Sequence, residues 1–300
     1  MPQFVEIPVF VKSASGDLFG VLTRPAAPAP DTVVLLLSGG FVPCTHKNRF
    51  WTRMAWRLAE AGFFAMRFDY RGVGESAGET RTFRLDRPFV DDVEAVRAWV
   101  RDQGAEQMIL VGTCFGARTA LAYAADAPSV KGVALLAPPV QDFESGTDWV
   151  KEAPLSGHVR HALAGGICRA ATDPRRRQLY GRILRVKGRS LWERLRATGA
   201  ARGAPDSEAS DAFLSPLAKL VARQIPVLIA IGSDDNLRAP FVKAATGRLG
   251  DLLGRAGPLI TTRTMHGQLH GFASLELQDE VAGMIEAWLL GLGSPLPAGG

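Results

Sequence analysis

The stretch that most constrains the fold of this chain runs from Gln107 to Ala117. Met108 to Val111 is a short apolar run without polar alternation, which is typical of a strand that is buried on both faces. Gly112-Thr113-Cys114-Phe115-Gly116 follows at once, and the alanine-rich residues 117–125 then predict a helix. Glycine on each side of the turn lets the strand and the helix approach closely while the central residue adopts a strained conformation. We therefore expect the Cys114 sulfur at the N-terminus of that helix, where the helix dipole would lower the pKa of the thiol.

Size and composition allow one large α/β domain with an insertion, or two domains, because the chain has 300 residues, of which 47% are hydrophobic and 22% charged. Its three cysteines, Cys44, Cys114 and Cys168, cannot all pair, so we expect no disulfide scaffold. The first residues carry neither the basic nor the apolar region of a signal peptide, and no apolar run approaches the roughly 20 residues that span a bilayer. We expect a protein of the reducing cytoplasm without a membrane partner.

Apolar runs alternate with amphipathic stretches along most of the chain. Strands are predicted at Phe4–Val11 and Leu18–Thr23 (both as edges), Val33–Leu37 (central), Phe63–Phe68, Met108–Val111, Val133–Leu136, Val227–Ile231 and Leu259–Met265. Helices are predicted at Arg49–Ala61, Asp91–Arg101, Ala117–Ala125, near Phe241–Leu253 and near Leu275–Leu290. This order is typical of a mostly parallel sheet that is covered by helices on both faces.

Residues 141–212 interrupt the alternation with short helical stretches and glycine-rich breaks, and we interpret them as an inserted helical cap. The chain then divides into core residues 1–140, the cap, core residues 213–292 and a flexible tail, 293–300. Residues 141–205 hold 13 Lys/Arg and 6 Asp/Glu, an excess of +7, whereas the whole chain has a net charge of +5. Few aromatic residues accompany these basic ones, so we expect no nucleic-acid partner. Arg175, Arg176 and Arg177 either form a solvated helix face or meet a phosphate or carboxylate of a substrate.

Four landmarks occur in a fixed order: the turn Gly39-Gly40-Phe41, residues 68–76 (Phe-Asp-Tyr-Arg-Gly-Val-Gly-Glu-Ser), the Gly-x-Cys-x-Gly turn, and an Asp followed by a His near the C-terminus. In this order the chain resembles the α/β-hydrolase fold, over nearly its whole length except the cap. Its cysteine elbow is similar to that of dienelactone hydrolases. The Gly-Gly turn and the Arg-Phe-Asp-Tyr-Arg-Gly stretch are more similar to the serine-aminopeptidase-like hydrolases.

The resemblance implies a catalytic triad with Cys114 as the nucleophile. Two aspartates, Asp234 and Asp235, follow the strand that ends at Ile231; the family's Gly-x-x-Asp spacing favours Asp235, and capping of the next helix is the other role. His266 and His270 both follow the last strand, and the Gly-Phe-Ala after His270 matches the family's closing pattern. We therefore expect His270 to be the base and Asp235 to orient it.

Backbone N–H groups of Phe115 and of either Gly40 or Phe41 would form the oxyanion hole in such an enzyme. Cys44-Thr45-His46 contains half of a metal site, but no second pair lies at a suitable spacing, so we predict a structural or pocket-lining role. The glycines of residues 69–76 lack the full Gly-x-Gly-x-x-Gly pattern and are predicted to shape a structural loop. No metal and no cofactor are expected.

An intact Cys, Asp and His in the family order favours an enzyme over a non-catalytic ligand-binding module on the same fold. Transfer of an acyl group from a thioester to cysteine exchanges one thioester for another, whereas an ester or lactone requires a thiolate to expel an alkoxide. We therefore expect a thioesterase or acyltransferase that acts on an acyl thioester through an acyl-Cys intermediate. The basic cap favours a phosphate-bearing carrier, coenzyme A or an acyl carrier protein. An ester or lactone hydrolase similar to dienelactone hydrolase is the alternative.

Overall fold

The computed structural model describes residues 4–26, 31–80, 82–145, 208–272 and 274–292. The strands in chain order are β1 (Phe4–Val11), β2 (Leu18–Pro25), β3 (Thr32–Leu37), β4 (Phe64–Phe68), β5 (Phe83–Arg84), β6 (Gln107–Thr113), β7 (Val130–Leu136), β8 (Glu144–Ser145), β9 (Val227–Gly232) and β10 (Ile260–Met265). The helices are α1 (Phe50–Glu60), α2 (Val90–Asp102), α3 (Phe115–Ala124), α4 (Asp211–Ala222), α5 (Arg238–Ala244), α6 (Arg248–Ala256) and α7 (Leu275–Leu292), with 3₁₀ turns at Lys47–Arg49 and Gly257–Leu259.

Eight of these strands form one sheet in the order β1-β2-β4-β3-β6-β7-β9-β10. The pairs β1–β2 and β2–β4 are antiparallel, and the other neighbouring pairs are parallel. The prediction of a mostly parallel α/β sheet is confirmed, with β3 between β4 and β6. The prediction that Leu18–Thr23 is an edge strand is wrong, because β2 pairs with β1 on one side and with β4 on the other. Its residues Leu18 and Gly20–Thr23 are all buried, so the strand has no solvent face.

Helices cover both faces of the sheet, and each face has its own hydrophobic core. Val33, Leu35 and Leu37 belong to the core that contains residues of α2, α3, α4 and α6. Val34 and Leu36 belong to the opposite core, which contains residues of α1 and α7. Successive side chains of a strand point to opposite faces, so a strand that is buried on both sides needs an unbroken apolar run. This explains why Val33–Leu37 shows no alternation.

Two parts of the helix prediction differ from the structure. The single helix expected near Phe241–Leu253 is two helices, α5 and α6, because α5 ends in tight turns in which Thr246 N–H bonds Lys243 O and Gly247 N–H bonds Ala244 O. The helix α4 was not predicted, although its buried residues Phe213, Leu214, Leu217 and Leu220 have helical spacing. Pro216 inside α4 weakens the helical pattern of its sequence.

The chain divides into two units, residues 1–144 with 207–300 and residues 145–206. The predicted cap apart from its two ends, together with Arg175, Arg176 and Arg177, lies outside the described residues, as does the tail 293–300, so these stay predictions. No helix among the described residues has both the length and the apolar character that crossing a membrane requires.

Candidate active site

Cys114 occupies the turn between β6 and α3 with φ 51° and ψ −113°, a conformation that strains a residue with a side chain. The turn is tight because a side-chain carbon on Gly112 would lie 2.3 Å from the carbonyl oxygen of Gly116. A side-chain carbon on Gly116 would lie equally close, 2.3 Å, to the carbonyl oxygen of Leu37 on β3. Cys114 N–H donates to Leu136 O on β7 at 3.0 Å. The strained turn between strand and helix that was expected from the sequence is present.

Burial dominates the acidity of the Cys114 thiol. The side chain keeps partial exposure, but desolvation raises its pKa to about 11, against the hydrogen bond from Phe115 N–H, which lowers the pKa. The negative charge of Asp235 raises the pKa further. The helix N-terminus therefore does lower the pKa of this thiol, through Phe115 N–H, but the loss of hydration of a thiolate outweighs this one donor and the pKa is raised overall. Cys114 is a neutral thiol at neutral pH, and its reactivity requires a base.

Asp235 lies buried directly after β9, with 6% of its surface exposed. Its Oδ1 accepts a hydrogen bond from His270 N–H at 2.7 Å, and its Oδ2 accepts one from Gly232 N–H at 2.8 Å. One carboxylate thus joins the loop after β9 to the loop after β10. Asp234 is exposed, and among the described residues the one donor to its Oδ1 is Ser233 Oγ, at 3.1 Å. Neither aspartate side chain caps α5, whose N-cap is Leu237. The hydrogen bond to His270 is made by Asp235 and not by Asp234.

His270 lies in the loop after β10, and its ring is neutral at neutral pH. Burial lowers the pKa of the ring, and the charge of Asp235 opposes this effect. The charge of Asp235 also acts on Cys114, so the structure brings Cys114, Asp235 and His270 together at the carboxyl end of the sheet. Within the described residues the Asp235 carboxylate bonds the backbone of His270 and not its ring. His266 is exposed, and His270 as the base stays a prediction.

The turn Gly39–Phe41 lies beside Cys114, because a side-chain carbon on Gly39 would be 3.8 Å from Cys114 Cβ. Phe41 has φ 58°, and its ring meets the ring of Phe83 edge-on, with centres 4.3 Å apart. The N–H groups of Gly40 and Phe41 have no acceptor among the described residues, so both can serve a ligand. Together with Phe115 N–H, they provide backbone donors next to the sulfur, as an oxyanion hole requires.

The loop of residues 69–76 is built around the buried carboxylate of Asp69. Its Oδ1 accepts from Cys44 N–H at 2.5 Å, and its Oδ2 accepts from Glu75 N–H at 3.1 Å. A side-chain carbon on Gly74 would overlap Asp69 Oδ2, at 2.1 Å. The glycine of this loop therefore permits packing against Asp69. The pKa of the buried Cys44 thiol is raised to about 12, mainly by desolvation, so Cys44 is a poor nucleophile.

His46 also lies at this site, although its sequence pattern predicted only a structural or pocket-lining role. Its ring centre lies 4.9 Å from that of Phe272, two residues after His270. Burial lowers the pKa of His46, and the positive charge that His270 carries when protonated would lower it further. The described residues contain no group of three or more His, Cys, Asp or Glu that could hold a metal, so Cys44 and His46 find no further ligands there. His46 has a positive φ angle, and no signal in the sequence predicts this conformation.

Comparison with known proteins gives one family and one fold. The family model described as serine aminopeptidase, S33, matches residues 28–180. An α/β serine hydrolase homologue from Coxiella burnetii is 19% identical with a TM-score of 0.57, over 94% of this chain and 97% of its own. The esterase Pf2001 from Pyrococcus furiosus is 14% identical with a TM-score of 0.63, over 97% and 94%. A proline iminopeptidase from Mycobacterium smegmatis is 17% identical with a TM-score of 0.54, over 95% and 98%.

Proposed function

Since the chain belongs to the S33 serine aminopeptidase family and is an α/β-hydrolase enzyme, we propose that it transfers acyl groups through an acyl-Cys intermediate, as a thioesterase or acyltransferase on an acyl thioester. The observation that carries this proposal is Cys114 itself. A cysteine occupies the strained turn at the start of α3, and the Phe115 N–H bonds its sulfur. A thiol at this position favours chemistry in which both donor and intermediate are thioesters.

The mechanism follows from the protonation states at the site. His270, neutral at rest, takes the proton of the Cys114 thiol as the sulfur attacks the acyl carbon. A carbon–sulfur bond forms, and the negative oxygen is met by Phe115 N–H and by the N–H of Gly40 or Phe41. The bond to the leaving thiol then breaks, and the leaving sulfur takes the proton from His270. Water or an alcohol next attacks the acyl-Cys with His270 again as the base, which releases the product and restores the thiol.

Leaving-group ability supports a thioester donor. In exchange reactions of thiols the less basic thiolate leaves faster, and the two sulfurs of a tetrahedral intermediate lie in the same desolvated site. The acyl group can therefore pass from the donor thiol to Cys114, whereas an alkoxide is more basic than either thiolate and would leave last. A free thiol nucleophile also fits our proposal of a reducing, cytoplasmic location.

The experiment compares a thioester and an oxoester that carry the same acyl group. We expect kcat/KM for the thioester to be at least about tenfold higher, and Cys114→Ala to lose turnover of both. Cys114→Ser serves as the matched variant, because serine removes the sulfur and keeps the turn. A preference for the oxoester in the native protein, increased by Cys114→Ser, would overturn the thioester proposal and favour an ester or lactone hydrolase. Full turnover by Cys114→Ala would overturn the acyl-Cys mechanism.

A further inference from the structure

His46 lies in a strained loop that precedes α1. His46, Asn48 and Arg49 have positive φ angles of 58°, 52° and 57°, although none of them is glycine. Backbone hydrogen bonds hold this conformation: His46 N–H donates to Pro43 O at 2.8 Å, and Arg49 N–H donates to His46 O at 3.2 Å. Each left-handed non-glycine residue costs on the order of 1 kcal/mol. Strain of this kind clusters where a side chain must be held in one place for function.

The ring of His46 packs among aromatic side chains on the His270 side of the site. Its centre is 4.9 Å from that of Phe272 and 6.0 Å from that of Trp51, and both contacts are edge-on. Phe272 follows His270 by two residues in the same loop, and the two histidines are near enough that protonation of one disfavours protonation of the other. The oxyanion donors belong to Phe115 and the turn at Gly40. His46 therefore lies beside the base that must deliver a proton to the leaving group.

The hydrogen bonds of the His46 ring decide which nitrogen carries its proton. Nδ1 accepts from Lys47 N–H at 2.8 Å, so in the neutral ring the proton is on Nε2. Burial lowers the pKa of His46 to about 4, which keeps the ring neutral at neutral pH. Within the described residues Nε2–H has no acceptor, and the His46 side chain is partly exposed. A ligand can therefore reach this donor.

We propose that the Nε2–H of His46 binds the leaving-group half of the substrate by donating a hydrogen bond to an acceptor oxygen beyond the scissile bond. The amide carbonyl of a pantetheine-like thiol is an acceptor of this kind. This inference rests on the proposed function, because it assumes that a thiol departs next to His270. A single hydrogen bond of this type is worth about three- to tenfold in binding.

The test uses two thioesters of one acyl group, one made with N-acetylcysteamine, which has an amide carbonyl, and one made with butanethiol, which has none. His46→Phe removes the donor and keeps a ring, and His46→Gln restores an amide N–H donor. We expect His46→Phe to lower the ratio of kcat/KM for N-acetylcysteamine to that for butanethiol by about three- to tenfold. His46→Gln should recover part of this ratio. His266→Phe, at an exposed histidine, is the matched control and should leave the ratio unchanged.

An unchanged ratio in His46→Phe would overturn the inference, whether both rates fall together, as a packing role predicts, or neither falls. Thermal unfolding of each variant shows whether the fold is retained. If His46→Phe does not fold, His46→Ala takes its place as the variant that lacks the donor, and a ratio in His46→Ala equal to the native one would also overturn the inference. The proposed function fails in a different way, by the absence of acyl-Cys114 after mixing with either thioester.

Discussion

At the scale of single residues, desolvation sets the protonation states of Cys114 and His270. Burial raises the pKa of the thiol to about 11 and lowers the pKa of the imidazole, so both groups are neutral at rest. This differs from a thiolate–imidazolium pair, which needs a thiol pKa below that of the histidine. In the proposed mechanism the resting site is thus a thiol and a base, and the proton moves when the substrate arrives.

The alkylation of Cys114 by iodoacetamide should follow this pKa. Only the thiolate reacts, so its rate should rise about tenfold per pH unit from pH 7 to pH 9, without a plateau. Cys44, buried and with its pKa raised to about 12, should react more slowly throughout and serves as the internal control. Peptide mass spectrometry after timed labelling measures both rates. A plateau below pH 7 would instead indicate a preformed thiolate–imidazolium pair.

His270→Ala should lower kcat by about 10²- to 10⁴-fold, the usual contribution of a positioned general base. His266→Ala is the control, since His266 is exposed while Asp235 binds the backbone of His270. Steady-state kinetics with one thioester substrate measures both variants, and thermal unfolding checks their folds. A larger loss in His266→Ala would require His266 to be the base.

Elements of the fold were predictable from the sequence where one physical signal dominates. An unbroken apolar run predicted β3, and glycines around Cys114 predicted the turn, because both depend on local sequence. The interior position of β2 was not predictable, since it depends on which strand pairs with its second edge. The link from Asp235 to the His270 backbone likewise joins residues 35 positions apart, and spacing alone left two aspartates and two histidines open.

Arg118 on α3 bonds residues that come shortly before and shortly after positions 146–207 in the chain. Its guanidinium is 1% exposed and donates to Pro139 O at 3.1 Å, to Leu85 O at 3.2 Å and to Asp142 Oδ1 at 2.5 Å. It also lies 3.4 Å from Ser210 Oγ, just before α4. One buried cation thus bonds Pro139, just before the predicted cap, and Asp142 and Ser210, near its two ends.

Arg118→Met should lower the free energy of unfolding by about 3 kcal/mol, because it leaves two carbonyls and a carboxylate without their donor. The matched control is Arg101→Met on α2, where the arginine is half exposed and, within the part of the chain that the structure describes, forms an ion pair with its neighbour Asp102 alone. That change should cost less than about 0.5 kcal/mol. Urea denaturation of the two variants measures both values. Equal stability of Arg118→Met and the native protein would contradict the role assigned to Arg118.

The charge of the whole molecule is unevenly distributed, since residues 141–205 carry an excess of +7 in a chain of net charge +5. We propose that this excess attracts a phosphate-bearing carrier such as coenzyme A or an acyl carrier protein. Attraction of this kind acts over the Debye length, about 10 Å at 0.1 M salt, and weakens as salt rises. This charge pattern supports a carrier that bears phosphate groups, and the salt dependence of kcat/KM tests the proposal.

Salt should lower kcat/KM for a coenzyme A thioester more than for a small neutral thioester with the same acyl group. Replacing Arg175, Arg176 and Arg177 together by Gln should reduce this difference, because single surface charges contribute too little to measure. The neutral thioester is the control for general effects of salt and of the substitutions. If kcat/KM and its salt dependence with the charged carrier stay unchanged, these arginines do not bind the carrier and belong to a solvated surface.

Covalent capture of the acyl group tests the central claim most directly. The protein is mixed with an acyl thioester, quenched in acid within one turnover and weighed by intact-protein mass spectrometry. We predict an added mass equal to the acyl group, located on the peptide that contains Cys114 and absent from Cys114→Ala. Turnover of the thioester without any such adduct, or an adduct on another residue that persists in Cys114→Ala, would contradict the account.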